Sequence, residues 1–165
     1  MTEFDAILQE TLDATIKNMI VFVSVLIILG IVFAVGIIFV TKKLRTESMN
    51  NQDYERLKKR KRTLIFSIAL IVFALVVIPL GSVQQITHLK HDIEHQQYIC
   101  AEVDYSYSRN GKGEDLVTII RDGEIIYVDF PKGWSEENFP RGEFHGTAWY
   151  SEESNILLSF TADNG

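Results

Sequence analysis

Hydrophobic and polar positions fall into three regimes along the chain. Residues 3–18, EFDAILQETLDATIKN, place Phe4, Ile7, Leu8, Leu12 and Ile16 at three- and four-residue spacing, the stripe of an amphipathic helix. From Met19 to Val40 the alternation disappears, and MIVFVSVLIILGIVFAVGIIFV holds no charge and only Ser24 as a polar side chain. A second uncharged run, TLIFSIALIVFALVVIPLG, covers Thr63 to Gly81. Val83, Ile86, Leu89 and Ile93 then restore helical spacing, and from Gln97 the period drops to two.

The uncharged runs are 22 and 19 residues long. At about 1.5 Å rise per residue, each reaches across a hydrocarbon core of roughly 30 Å. A buried soluble hairpin is the alternative, but in a chain of 165 residues too little remains to cover two helices that are apolar all round. A cleaved signal peptide fits the first run poorly, because Glu3, Asp5, Glu10 and Asp13 precede it against Lys17 alone. The expected order is an amphipathic helix (1–18), a first span (19–40), a loop (41–62), a second span (63–81), a stalk helix (82–96) and a β domain (97–165). Gly30 and Ala34 form a small-xxx-small pair for helix packing, with Ser67, Ala69 and Ala74 as a small face opposite, and Pro79 is expected to bend or end the second helix.

Charge adds an orientation. The loop 41–62 has nine Lys or Arg against three acids, +6, whereas residues 1–18 carry −3 and residues 82–165 carry −9. Within RLKKRKR, Arg56, Lys58, Lys59, Arg60, Lys61 and Arg62 put six cations into seven residues. Short Lys/Arg-rich loops stay in the cytoplasm, so this reading expects a multi-pass plasma-membrane protein with residues 1–18 and 82–165 on the outer side. The same cations attract anionic lipid headgroups, at about 1 kcal/mol each near the surface. Nucleic-acid binding would need a basic folded face with interleaved aromatics, and only Tyr54 is near, so no nucleic acid is expected. The turn between the helical ends of the loop is expected near Ser48–Gln52.

In YICAEVDYSYS, Ile99, Ala101, Val103, Tyr105 and Tyr107 line one face, and Glu102, Asp104 and Ser106 the other. A turn at NGKGE follows, then LVTIIRDGEIIYVDF flanks Asp122-Gly123, a strong hairpin signal. The runs EFHGTAWY and NILLSF flank SEES as a second hairpin. About five short strands without intervening helices predict a small all-β antiparallel meander or open barrel beside the membrane helical hairpin.

Candidate chemistry is sparse. His88, His91 and His95 fall on one helical face with Asp92 beside them, so the stalk is either a Zn²⁺- or Cu²⁺-binding and pH-responsive site or a solvated polar face. The acid pairs Glu114-Asp115, Glu136-Glu137 and Glu152-Glu153 sit at expected turns and read as solvated surface charge. No GxSxG, phosphate-cradling loop or triad arrangement is present around His145, so neither enzymatic activity nor a cofactor is expected. Trp134 and Phe139 in the long loop either cap the sheet or anchor a protein partner. Cys100, the only cysteine, is expected as a buried or half-buried thiol, with an intermolecular disulfide as the alternative. An exported domain without an internal disulfide suits a Gram-positive surface.

The YICAE strand, the central DGE hairpin and FPRGEFHGTAWYSEESNILLSF together resemble small two-span membrane proteins of Gram-positive bacteria with an exported β domain, over residues 63–161. Some of these look like immunity proteins that neutralise secreted toxins. The resemblance implies a non-enzymatic protein whose acidic exterior domain binds a protein partner, a toxin or a subunit of a membrane complex. The histidine stalk supports a second expectation, a metal- or pH-responsive sensor or accessory subunit.

Overall fold

The computed structural model describes residues 2–46, 50–109, 115–132, 139 and 141–163. Two helices, α1 (Glu3–Thr46) and α2 (Asn51–His95), precede strands β1 (Tyr98–Arg109), β2 (Asp115–Arg121), β3 (Glu124–Val128), β4 (Gly142–Ser151) and β5 (Leu157–Ala162). The chain forms two compact units, Lys17–Val83 and the combination of Met1–Ile16 with Gln84–Gly165.

In the unit Lys17–Val83 both helices are long and apolar enough to cross a membrane, by length and composition. Ile38, Phe39, Phe66, Phe73 and Leu80 lie exposed on their surfaces. Small residues let the helices meet: a methyl at Gly36 would stand 3.5 Å from Leu64 Cδ1, and one at Gly30 3.9 Å from Ile71 Cγ2. Ser24 and Ser67 turn their hydroxyls onto the carbonyls of Ile20 (2.8 Å) and Thr63 (3.0 Å), so neither leaves an open polar group. Pro79 does not end α2, contrary to one of the two outcomes expected for it. Its ring removes the bond to the Leu75 carbonyl, but abandoning the helix would free many more backbone groups in an apolar run. At the start of α2, Asn50 Oδ1 accepts from Gln52 N–H at 3.3 Å, capping the helix that carries Arg56 to Arg62.

In the other unit β1 is the longest strand and pairs on both sides, giving the order β3-β2-β1-β4-β5 with every neighbouring pair antiparallel. A sequential meander would place β4 beside β3, so that expectation is corrected. The 13 positions from Asp129 to Arg141 are long enough to cross the sheet, and β1 offers ten paired positions to β4. Among the described residues one parallel bridge, Asp129 with Ile156, ties the ends of the two outer strands, as in a partly open Greek-key barrel.

Period-two burial makes the core. Val103, Tyr105 and Tyr107 of β1 pack with Val117, Ile119, Val128, Phe139, Ala148, Tyr150 and Leu157. A second cluster joins Leu8 and Leu12 of α1 and Leu89 of α2 to Ile156 and Leu158, with Phe4, Ile7, Ile16, Ile86 and Ile93 around it. The stripe on residues 3–18 therefore packs on the β unit. The register shift at Trp149/Tyr150 makes this possible, because Leu158 is the extra residue and turns to the helices while Leu157 enters the strand core.

Candidate functional site

The face of the sheet opposite the core is the more informative surface. Register places Ile125, Ile120, Asp104 and His145 in one row across β3, β2, β1 and β4, and Tyr127, Thr118, Ser106 and Glu143 in the next. Leu116, Ile120, Ile125 and Tyr127 are exposed there. Glu102, Asp104 and Glu143 lie beside them, and the strands contribute no Lys or Arg to this face, since Arg109 and Arg121 have the core-side parity. An open cleft of about 430 Å³ is lined by Asp104, Ser106, Ile120, Glu143, Phe144 and His145. His145 Nδ1 stands 2.8 Å from Asp104 Oδ1 and its Nε2 3.8 Å from Asp163. The Asp104 hydrogen bond, with Asp163 and Glu102 nearby, pushes the imidazole above its ordinary value.

The other end of this face is covered. Phe4 meets Tyr98 edge-on at 5.7 Å and Trp149 at 5.3 Å, and the Tyr98 hydroxyl donates to Asp5 Oδ1. That bond, with Thr2 N–H at 2.6 Å, holds the Asp5 carboxyl below its usual range, while burial and the Asp5 bond push the Tyr98 phenol up. Cys100, opposite Trp149, is exposed, which corrects the expectation of a buried thiol. Its strand parity is that of Glu102, so the alternation that buries Val103 turns Cys100 outward.

The histidines form a second constellation. His88 Nδ1 lies 2.9 Å from Glu153 Oε2, and His91 Nδ1 lies 3.2 Å from Glu153 Oε1 without hydrogen-bond alignment. His91 and His95 stack at 4.2 Å, and His95 Nδ1 donates to the His91 carbonyl at 3.0 Å. The His88 bond holds the Glu153 carboxyl below its ordinary value. Asp92 is fully buried and accepts from the Glu153 and Ser154 amides (3.1 and 2.8 Å) and the Ser154 hydroxyl (2.6 Å). The described residues hold no group of three His, Cys, Asp or Glu arranged to take a metal. His88 and His91 both approach the Glu153 carboxylate, and His95 stacks on His91 without reaching it.

Phe139 is 1% exposed and stacks on Phe130 at 4.8 Å, so it packs in the core of the β unit. Trp134, Glu136-Glu137, the whole NGKGE turn with Glu114, and Ser48 and Met49 of the Ser48–Gln52 turn lie outside the described residues. The exposed patch was legible in one signal, the apolar run IIRDGEIIYV, which occupies both strand parities and so leaves hydrophobic side chains on both faces. Comparison of the chain with protein-family models, with curated proteins and with solved structures finds no match.

Proposed function

We propose that the chain is a non-enzymatic, two-span plasma-membrane protein whose β unit stands outside the cell and binds a protein partner through the outer face of its sheet. The observation that carries the reading is the exposed patch of Leu116, Ile120, Ile125 and Tyr127 on β2 and β3, beside Glu102, Asp104 and Glu143. An exposed apolar patch rimmed by polar residues is the mark of an interaction surface. Charge segregation supports the orientation: Arg56 to Arg62 stay with the cytoplasmic lipid headgroups, and the −9 segment after residue 81 is exported. Neutralisation of a secreted toxin is the concrete form suggested by the resemblance to two-span immunity-like proteins.

Cys100 is a built-in probe for this reading, being both exposed and the sole cysteine. A membrane-impermeant maleimide is expected to label it in intact cells. A photo-crosslinker at Ile120 is then expected to join the chain to one surface or secreted protein, and Asp104→Lys to abolish the product. Labelling only after lysis, or no adduct at Ile120, overturns the reading.

A second reading, a pH-responsive sensor or accessory subunit, is favoured by the placement of Glu153 between His88 and His91. Imidazole shifts followed by NMR from pH 5 to 8 test it. Unchanged contacts to Glu153 across that range remove it.

A further inference from the structure

We propose that the free edge of β3 receives an extended, cationic segment of the partner by strand addition. This rests on the reading of the sheet as a partner-binding module and deepens it by naming the partner's local chemistry. β3 is an outermost strand; among the described residues Glu124–Val128 pair with β2 alone, and the bridge from Asp129 to Ile156 begins just past its end. Asp122 and Gly123 form the two-residue turn, with φ of 54° and 83°, so Arg121 and Glu124 close it as a hydrogen-bonded pair. Alternation then points the backbone groups of Glu124, Ile126 and Val128 at β2, and those of Ile125 and Tyr127 away from it. The same two residues turn their side chains to the outer face, where they are 61% and 66% exposed. Backbone donors, acceptors and apolar contact area thus coincide on Ile125 and Tyr127.

Natural edge strands are usually blunted by a central lysine, a proline or a bulge. Ile125–Val128 has none of these. Its charges lie at the ends, with exposed Glu124 and Asp122 at one and Asp129 at the other. Arg121 sends its Nη1 to the Tyr150 hydroxyl at 2.7 Å and its Nε to 3.8 Å from Asp122 Oδ2, so Glu124 and Asp129 are the carboxylates that flank the edge. An incoming strand therefore meets the outward backbone groups of Ile125 and Tyr127, their two apolar side chains on one face, and carboxylates at both ends, stopping short of Asp129, whose own N–H and C=O are bonded to Asn155 and Leu157. Charge decides the occupant. A second copy paired antiparallel with Ile125 opposite Tyr127 would set Asp129 of one chain opposite Gly123 of the other, between Asp122 and Glu124, at both ends, an acid-on-acid arrangement that disfavours pairing. An extended segment alternating apolar residues with Lys or Arg has the complementary pattern.

The test uses the full chain in lipid nanodiscs and two synthetic peptides, one alternating valine with lysine and one alternating valine with glutamate. The lysine peptide is expected to slow hydrogen exchange at the Ile125 and Tyr127 amides by at least about tenfold. The glutamate peptide is expected to leave them unchanged. Ile125→Lys with Tyr127→Lys is expected to abolish protection by the lysine peptide while exchange at the β1–β4 ladder stays native. Tyr127→Pro, which removes an outward donor without touching a bond to β2, should do the same. No added protection in the wild-type chain, equal protection by both peptides, protection that survives the lysine variants, or self-association through β3 overturns the proposal. An Ile120 adduct without edge protection would sink strand addition alone and leave the broader partner-binding reading standing.

Discussion

Asp92, fully buried on α2, holds Ser154 twice, through its amide at 2.8 Å and its hydroxyl at 2.6 Å. With the Glu153 amide at 3.1 Å on its other oxygen, one carboxylate replaces the solvent that the β4–β5 turn would otherwise need. Ser151 Oγ extends the network, lying 2.7 Å from Ser154 Oγ and accepting from Ile156 N–H at 2.8 Å. Asp92→Ala leaves two amides and a hydroxyl without their acceptor. The expected loss is about 2–4 kcal/mol of stability, read by denaturant unfolding of the full chain in detergent. Asp92→Asn keeps one acceptor oxygen and is expected to fall between. Equal stability of all three proteins would show that the turn does not depend on this carboxylate.

Two exposed ion pairs give the β unit opposite pH dependences. Glu153, held below its ordinary value of 4.5 by His88, contributes stability that is present above that value and lost as pH falls through the depressed one. His145, held above its ordinary 6.5 by Asp104, contributes stability present below 6.5 and lost as pH rises through the elevated value. Glu153→Gln is expected to shrink the acid-side fall in Tm, and Asp104→Asn the fall on the neutral-to-alkaline side. Both effects are small because the pairs are exposed to solvent. Tm measured against pH for the two variants checks the signs, and a crossed pattern would reverse the assignment.

Several of these features could be read in the chain and others could not, for reasons of range. The apolar runs and the Asp122-Gly123 turn are local, since their length and positive φ follow from adjacent residues. The parity that buries Val103, Tyr105 and Tyr107 is equally local. The crossing of β4 to the far side of β1 depends on pairings such as Asp104 with His145, 41 positions apart, which no short pattern encodes. The histidine spacing showed a shared face, but its meaning depends on Glu153, 65 positions from His88. Asp92 looked like one more polar residue of that face because nothing nearby in sequence marks the turn it caps.

The contact of Tyr98 with Asp5 fastens the first turns of α1 to the start of β1. Tyr98→Phe keeps the ring against Phe4 but leaves Asp5 Oδ1 without its phenol donor. The expected cost is about 1–3 kcal/mol, felt as faster hydrogen exchange over residues 4–12 with the β1–β4 ladder unchanged. Asp5, held below its ordinary 3.8, adds stability that is lost as pH falls through the lowered value, and the variant should show less of that loss. Uniform acceleration across the sheet would mean that the hydroxyl supports the whole unit and not this one junction.

Gly146 of β4 pairs with Ala162 of β5 and lies against the backbone of that strand. A methyl group there would collide with the Thr161 carbonyl oxygen and stand 2.9 Å from Ala162 Cα, and both are backbone atoms that no rotamer can withdraw. The two strands must separate or shift register, so Gly146→Ala is expected to cost about 3 kcal/mol and to open the β4–β5 ladder first. Gly123→Ala is the matched control. Its φ is +83° with open space around it, so only the conformational penalty of about 1–2 kcal/mol applies, and Asn, which tolerates that region, should restore most of it. Gly146→Asn has no such rescue, because the obstacle is an atom and not a dihedral. Wild-type exchange rates at Thr161 and Ala162 in Gly146→Ala would show that the strands have room there and that the pairing of Gly146 with Ala162 is wrong.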